Sequence, residues 1–500
     1  MRGAKRSGVP AGKRRLAMVI VHAPVAIAFA LSMSSCTVGP DFQQPEAQTP
    51  AAWAKQELTQ SNPIGTDVDE KWWDAFADPE LSSLVDRLAK QNLDLARAAE
   101  RIQQARAQRR VTNAAGLPQV AVGGQYSHER LSPNGVTSLY QPSPGAPLEV
   151  DDWTQTLGAS WELDLFGKVG RAVEAADANT AAVIEARHAV ALDLVAELAG
   201  NYMELRGVQA REAIAADSLK TAQRTLAVVK DRFANGVGTT LDVARAQGQV
   251  ESIAATLPAL HTRRMALVNA TGVLLAAQPR ALEGELSPVA ALPGIPPEVP
   301  VGLPGALMRR RPDIREAEAM LHAATAETGV AVADFYPDIS LTGQFGTDGL
   351  QFGNLWSTAS RVFSVGPSIS LPIFQGGRLQ GTLELRESQQ CEAALGYQNT
   401  VIQAFNDVDN ALTAYADIQQ RRDRLAAEVE QDSAALAAAE ANYRAGSIGL
   451  LSVTTAQADL LRGRDQLAQS ETGVRQNLVA LYKALGGGWT VAELTRPRTP

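Results

Sequence analysis

The order of apolar and polar positions changes period several times along this chain. In QVAVGGQY, Val120, Val122, Gly124 and Tyr126 alternate with Gln119, Ala121, Gly123 and Gln125, and WTQTLGASWELDLF sets Trp161, Leu163 and Leu165 against Ser160, Glu162 and Asp164. PDISLTGQF and SVGPSISLPIF repeat the alternation, with Ile339, Leu341 and Phe345 sharing one face and Ile369, Leu371 and Ile373 another. Period two predicts strands over 119–128, 153–165, 337–346 and 363–374. No proline occurs between Pro147 and Pro258 or between Pro372 and Pro497, so the segments after each strand pair are predicted to be long helices. Val401, Phe405, Val408, Leu412 and Tyr415, continued by Leu425, Val429 and Leu436, fall at coiled-coil spacing. Rods from about Arg171 to Ala234 and from about Thr382 to Ala445 would each run roughly 95 Å at about 1.5 Å per residue.

Each rod ends on a glycine. FANGVGTTLDVARAQGQV (233–250) and YRAGSIGLLSVTTAQADL (443–460) share one register: Phe233 matches Tyr443, Gly236 matches Gly446, Leu241 matches Leu451 and Val243 matches Val453. Such an echo marks an internal repeat. Return helices are expected over 239–275 and 450–485, with Leu257-Pro258 kinking the first. Seven prolines between residues 279 and 304 read as a linker. The chain then divides into a signal segment (1–35), an extended N-terminal segment (36–79), a first repeat (80–278, strand hairpin 119–165), the linker (279–304), a second repeat (305–488, strand hairpin 337–374) and a C-terminal tail (489–500).

Composition sharpens this picture. Aromatic residues are only 5% of the 500, which suits long helices better than thick cores. Arg2, Lys5, Arg6, Lys13, Arg14 and Arg15 precede an apolar run from Leu16 to about Leu31 and then SMSSC. This is the pattern of an export signal whose processing leaves Cys36 lipidated and first, with Met33 where such signals usually carry leucine. Removing those six bases takes the formal charge from −8 to about −14, which argues against a nucleic-acid partner. Cys391 would be the one remaining thiol, expected to pack near Leu395.

Chemistry is sparse. His22 lies in the signal, His128 on a strand, and His188, His261 and His322 on separate helices, so neither an enzyme, a cofactor nor a metal site is expected. Glu162 and Asp164 have the spacing of a carboxylate pair on one strand face, but a solvated wall opposite Trp161, Leu163 and Leu165 accounts for them better. Gly486 to Trp489 read as a helix end, and Arg309, Arg310 and Arg311 before Pro312 as a helix start. Strands of about ten residues with one apolar and one polar face fit either a soluble sheet or an outer-membrane barrel. The signal and the rods favour the barrel. An open sheet edge cannot sit in lipid and four strands are too few to close, so such a barrel would be shared between chains.

CTVGPDFQQP from Cys36, WWDAFADPELSSLV from Trp72, SWELDLFGK from Ser160, RRRPDIREAE from Arg309, the YRAG break and LYKALGGGW from Leu481 together resemble the TolC-like outer-membrane efflux channels of the lipoprotein, OprM/NodT-type branch. The resemblance covers nearly all of the mature chain. It implies a mostly α fold with a membrane β-barrel portion: a homotrimer sharing twelve strands and a coiled-coil helical tunnel. It also implies a passive duct of a tripartite efflux system in the cell outer membrane, lipid-anchored and extending into the periplasm. The partners would be a periplasmic adaptor and an inner-membrane pump of RND type. By the same resemblance Gly236, Leu241, Asp242, Gly446, Leu451 and Thr455 lie at the tips that form the periplasmic gate and dock the adaptor, with Leu451 facing the axis. Related channels carry an acidic residue and an arginine where this chain has Thr455 and Ala458, so an apolar gate is expected. The alternative is a non-pore periplasmic coiled-coil adaptor lipoprotein, which would bury the alternating segments in a soluble sheet.

Overall fold

The computed structural model describes residues 37–46, 49–54, 62–64, 68–130, 132 and 149–489. The signal segment, Cys36 and the tail after Trp489 lie outside them. Strand β1 (Asn62–Ile64) and helices α1 (Pro79–Gln91) and α2 (Leu93–Ala114) precede strands β2 (Gln119–Arg130) and β3 (Glu149–Leu163). Helix α3 (Lys168–Ala234) follows, with α4 (Thr240–Ala254) and α5 (Thr256–Leu274) returning. The succession then recurs: β4 (Glu298–Pro300), α6 (Pro312–Ala333), β5 (Asp338–Gly349), β6 (Arg361–Ser370), α7 (Arg378–Arg444) and α8 (Leu450–Ala484). Both α3 and α7 have 67 residues, about 100 Å of helix.

The chain forms two compact units, and the long helices contribute to both. The first comprises Met1–Gln44, Ala105–Thr180 and Met320–Ala394. It holds an antiparallel sheet in the order β2-β3-β5-β6. Strand β6 stops at Ser370 rather than 374, just before Leu371-Pro372, where proline has no N–H to give a ladder. Strand β3 stops at Leu163, so Asp164 is not on the strand face with Glu162. Its carboxylate instead accepts the Gly170 N–H at 2.7 Å in the first turn of α3, satisfying a donor that helix geometry leaves free.

An N-terminal strap lies along this unit. The Val38 N–H donates to the Phe166 carbonyl at 3.2 Å, and the buried Arg171 guanidinium donates to the Val38 carbonyl, Asp41 and Glu174. Burial pushes the Glu174 carboxyl up, but hydrogen bonds from His322 and Arg171 outweigh it and hold the group below its ordinary range. Phe42 stacks on His322 with ring centroids 4.4 Å apart. At Gly39, whose φ is +90°, a Cβ would come within 2.5 Å of the Gly329 Cα. Two glycines are what let strap and helix approach so closely.

The second unit comprises Pro45–Gln104, Ala181–Ala319 and Leu395–Pro500. Its core gathers Trp72, Trp73, Phe76, Leu84 and Leu88 with Leu198, Met203, Tyr415, Leu478 and Tyr482. Trp72 stacks on Tyr482 at 5.0 Å and donates to the Gly487 carbonyl at 3.1 Å. Val401, Val408, Leu412, Tyr415 and Leu425 are buried along the seam of α7, with Phe405 packed beside them. Gly486, at φ +71°, ends α8, and the Gly487 N–H reaches back to the Tyr482 carbonyl. Pro312 opens α6 as expected, and Arg311 donates to Asp313, Asp407 and the Ala484 carbonyl. The return helix breaks at Ala255 rather than at Leu257, because Pro258 cannot donate to the carbonyl of Ala254 four residues earlier and its ring crowds it. Strands β1 and β4 pair in parallel. Cys391 is exposed on α7, not packed.

Candidate functional site

Two features carry the site. The first is the sheet, whose register gathers like residues into rows. Val122, Leu157, Phe345 and Phe363 are paired across all four strands, as are Val120, Ala159, Gly343 and Val365. Trp161, Leu341 and Pro367 form a third row, and Leu163, Ile339 and Ile369 a fourth. Most of these large apolar side chains face solvent. On the other face lie Gln119, Ser160, Thr342 and Gly366, then Ala121, Gly158, Gln344 and Ser364, then Glu162, Ser340 and Ser368. The charged residues in the paired strands of this polar face are Glu129, Asp152, Glu162, Asp338 and Asp348, all acidic.

Beyond the apolar rows, Tyr126 packs on Trp153 at 4.2 Å and Trp153 on Phe352 at 5.0 Å. From Trp153 to Leu163 the strand covers about 34 Å at ~3.4 Å per residue, or a height of about 26 Å at a barrel strand's tilt of about 40°. That matches the apolar band of a membrane barrel, with aromatic rings at its rim. The outer edges of β2 and β6 have no strand partner among the described residues. No helix among those residues is long and apolar enough to cross a membrane.

The second feature is a pair of helix-hairpin tips in the second unit. Gly236 has φ +76° and Gly446 φ +75°. In each, the glycine N–H bonds back to Phe233 or Tyr443, and the next N–H reaches one residue further, to Arg232 or Asn442. This doubled bond is the Schellman closure, which satisfies the carbonyls a helix end would leave open. The helices then restart differently. Thr239 caps α4, its Oγ1 accepting the Asp242 N–H at 3.1 Å and donating to the Asp242 carboxylate at 2.7 Å. Gly449 stands at the equivalent place before α8 and offers no side-chain cap.

The tips pack on one another. Leu226, Val229, Val250 and Ile253 form one cluster with Leu450 and Val453. Arg232 donates to the Tyr443 carbonyl and lies 4.7 Å over that ring. Leu241 and Leu451, at matching positions of the repeat, remain 55% and 56% exposed, and Thr455 is exposed one turn beyond Leu451. Sequence reasoning found both glycines and both leucines but missed Arg232. The second tip has Asn442 at that position, so comparing the repeats passes over it. It also missed the Trp153 and Phe352 cluster, whose signal is aromatic residues near strand ends.

The family of outer membrane efflux proteins matches residues 84–273 and 303–487. OpmQ of Pseudomonas putida, a pyoverdine export outer membrane protein, is 32% identical over 447 residues, 89% of this chain and 93% of its own. The outer membrane protein OprJ of Pseudomonas aeruginosa is 32% identical over 472 residues, 93% of this chain and 95% of its own. Among solved structures, the outer-membrane channel OprN matches with a TM-score of 0.83 at 33% identity, over 91% of this chain and 100% of that one.

A Cβ at Gly446 would meet nothing within 4 Å, so the demand for glycine there is conformational. Gly446→Ala is expected to destabilise the tip by about 1–2 kcal/mol through its left-handed backbone, read by hydrogen exchange at residues 442–450. Gly396→Ala, in the interior of α7 with equal free space, is expected to stabilise by about 0.5–1 kcal/mol. Equal effects at the two positions would remove the conformational argument.

Proposed function

The chain belongs to the outer membrane efflux protein family, and from that premise we propose how its parts divide the work. It is the outer-membrane channel of a tripartite efflux system, a transport protein rather than a non-pore adaptor. The observation that carries the finer reading is the sheet, apolar on one face, acidic and hydroxyl-rich on the other, and open along both edges among the described residues. Unpaired backbone groups in hydrocarbon cost several kcal/mol each, so the edges close against further copies of the chain. Strands β2 and β6 run antiparallel to one another, so head-to-tail closure keeps the sheet antiparallel throughout. The family resemblance sets the number of copies at three and the number of strands at twelve. The polar face then lines a water-filled duct.

In this reading the sequence divides as the internal repeat suggests, and the hairpin tips ring the periplasmic mouth. Leu451, from each copy, closes that mouth by apolar contact, with Gly236, Gly446, Leu241, Asp242 and Thr455 in the surface that meets a periplasmic adaptor. An inner-membrane pump, of RND type by resemblance, supplies energy and selects the cargo. Cys36 carries the lipid. Its neighbour Thr37 sits against Gly167, between β3 and α3, which supports an anchor at the membrane's inner edge.

Three measurements test these parts. Phe345→Arg, in the middle of the apolar face, is expected to cost about 2–4 kcal/mol of barrel stability, while Gln344→Arg on the opposite face leaves it nearly unchanged. Heat-modifiable migration of the outer-membrane protein reads the difference, and a tolerated Phe345→Arg would show that this face does not meet lipid. Cys36→Ser is expected to abolish palmitate labelling, and retained label would place any acylation elsewhere. Leu451→Ser is expected to raise single-channel conductance in planar bilayers several-fold. Unchanged conductance of a correctly assembled trimer would move the gate to Leu241 and Asp242 on the first tip.

A further inference from the structure

We infer that the open edge of β6 pairs with the open edge of β2 from a second copy of this chain in one register, with Ile369 opposite Val122, Ser370 opposite Ala121 and Ser364 opposite Ser127. The inference rests on the shared-barrel reading and adds the alignment of its seam. It comes from a junction already present inside the chain.

Within one chain, β3 pairs with β5, placing Trp161 opposite Leu341. Just below that pairing, Phe166 stacks on Tyr336 with ring centroids 4.9 Å apart. Both sides of this junction recur in sequence at the two free edges. Leu163-Asp164-Leu165-Phe166 at the end of β3 returns as Leu371-Pro372-Ile373-Phe374 after β6. Tyr336-Pro337-Asp338-Ile339 at the start of β5 returns as Leu117-Pro118-Gln119-Val120 at the start of β2. Carrying the Trp161–Leu341 pair across these matches gives Ile369 opposite Val122. In the single chain the counterparts of the stacked rings are unmet: Phe374 is 89% exposed and Leu117 53%, and Ile373 beside Phe374 is 91% exposed. A second copy brings Leu117 to Phe374 as Tyr336 is brought to Phe166.

Three further considerations agree. This register places every residue of β6, Arg361–Ser370, opposite a residue of β2, from Arg130 back to Ala121. A flush continuation of the observed rows, with Phe363 opposite Val122, would set 367–370 against 115–118, ahead of the β2 ladder. Faces are also preserved, since odd positions of β6 and even positions of β2 both carry the apolar set.

Closure supplies the third. A row followed from Val122 through Leu157, Phe345 and Phe363 arrives at His128 of the next copy, six residues along β2 toward Arg130. Over three copies that stagger amounts to about 60 Å along the strands against about 58 Å across twelve strand spacings, a tilt of about 45°. Barrel strands tilt by roughly 35–45°, whereas the flush register gives no tilt and cannot close. The same climb explains Arg361. It is carried out to the rim, level with the Arg130–Glu149 ion pair, and Leu371 and Ile373 extend the apolar band below β6.

Paired cysteines in the full-length protein, in its native outer membrane and with Cys391→Ser removing the exposed thiol, test the register. Ser364→Cys with Ser127→Cys samples the polar face, and Ile369→Cys with Val122→Cys samples the apolar face. Adjacent antiparallel positions differ in Cα separation, so both separations are covered. Mild oxidation is expected to give covalently linked trimers from these pairs at least about tenfold more efficiently than from Ser364→Cys with Ala121→Cys, whose positions lie about 20 Å apart along the strand in this register. Cross-linking of the flush pair in preference to the other two, in a protein that still migrates as a trimer, would overturn the register and leave the barrel intact. A monodisperse monomer with no cross-link in any pair would overturn the barrel and the register together.

Discussion

A backbone N–H or C=O left unpaired in hydrocarbon costs several kcal/mol, and most of this structure follows from that constraint. Among the described residues, the four strands satisfy one another internally but not along the outer edges of β2 and β6. In water, such edges would be covered by lysines, prolines or short strands. Here β2 runs twelve residues without a lysine or a proline, and the lone proline on the β6 edge, Pro367, sits within an apolar row. The sheet is therefore built to continue. Side chains alternate strictly across it, so whatever continues it must preserve both faces at once.

The helical half meets a different constraint. A 67-residue helix ends with carbonyls that need partners, and reversing direction within a few residues leaves no room for several side-chain caps. The Schellman closures at Gly236 and Gly446 solve this with backbone alone. They leave the side chains beyond free to serve another purpose. Leu241 and Leu451 are exposed because the turn does not need them. Leu226, Val229, Leu450 and Val453 hold the two hairpins together beneath, so the exposed leucines sit on a rigid base.

The sequence made some of this legible and hid the rest for physical reasons. Alternation located the four strands of the larger sheet, because exposure on both faces leaves no tertiary packing to override the pattern, but not the three-residue β1 and β4. The glycines were legible because only they occupy φ near +75° without strain. Strand ends were not. Asp164 continues the alternation of WELDLF yet serves as a helix cap, a role set by the position of Gly170 rather than by period. The break at Ala255 lies upstream of Pro258, because proline disturbs the carbonyl four residues before it. Cys391 is exposed on a helix whose pattern near Leu395 does not reveal which face meets the rest of the chain, and Leu395 is exposed too. The strap held by Arg171 pairs residues more than a hundred positions apart, beyond the reach of any local pattern.

The two halves differ in length at the joint between strand and long helix. One residue, Gly167, separates Phe166 from the start of α3 at Lys168, whereas Gln375, Gly376 and Gly377 separate Phe374 from α7 at Arg378. Two residues have been gained or lost at the strand-to-helix joint. Within a strand such a change would shift every later pair, and within a helix it would rotate the buried stripe by about 200°. At the joint it touches neither period. Gly167, Gly376 and Gly377 all adopt positive φ, so the joint is a segment in each half where the backbone turns freely enough to absorb the change. The strands and the rods can therefore each keep their own register across this difference in length, which falls where the joint needs glycine anyway.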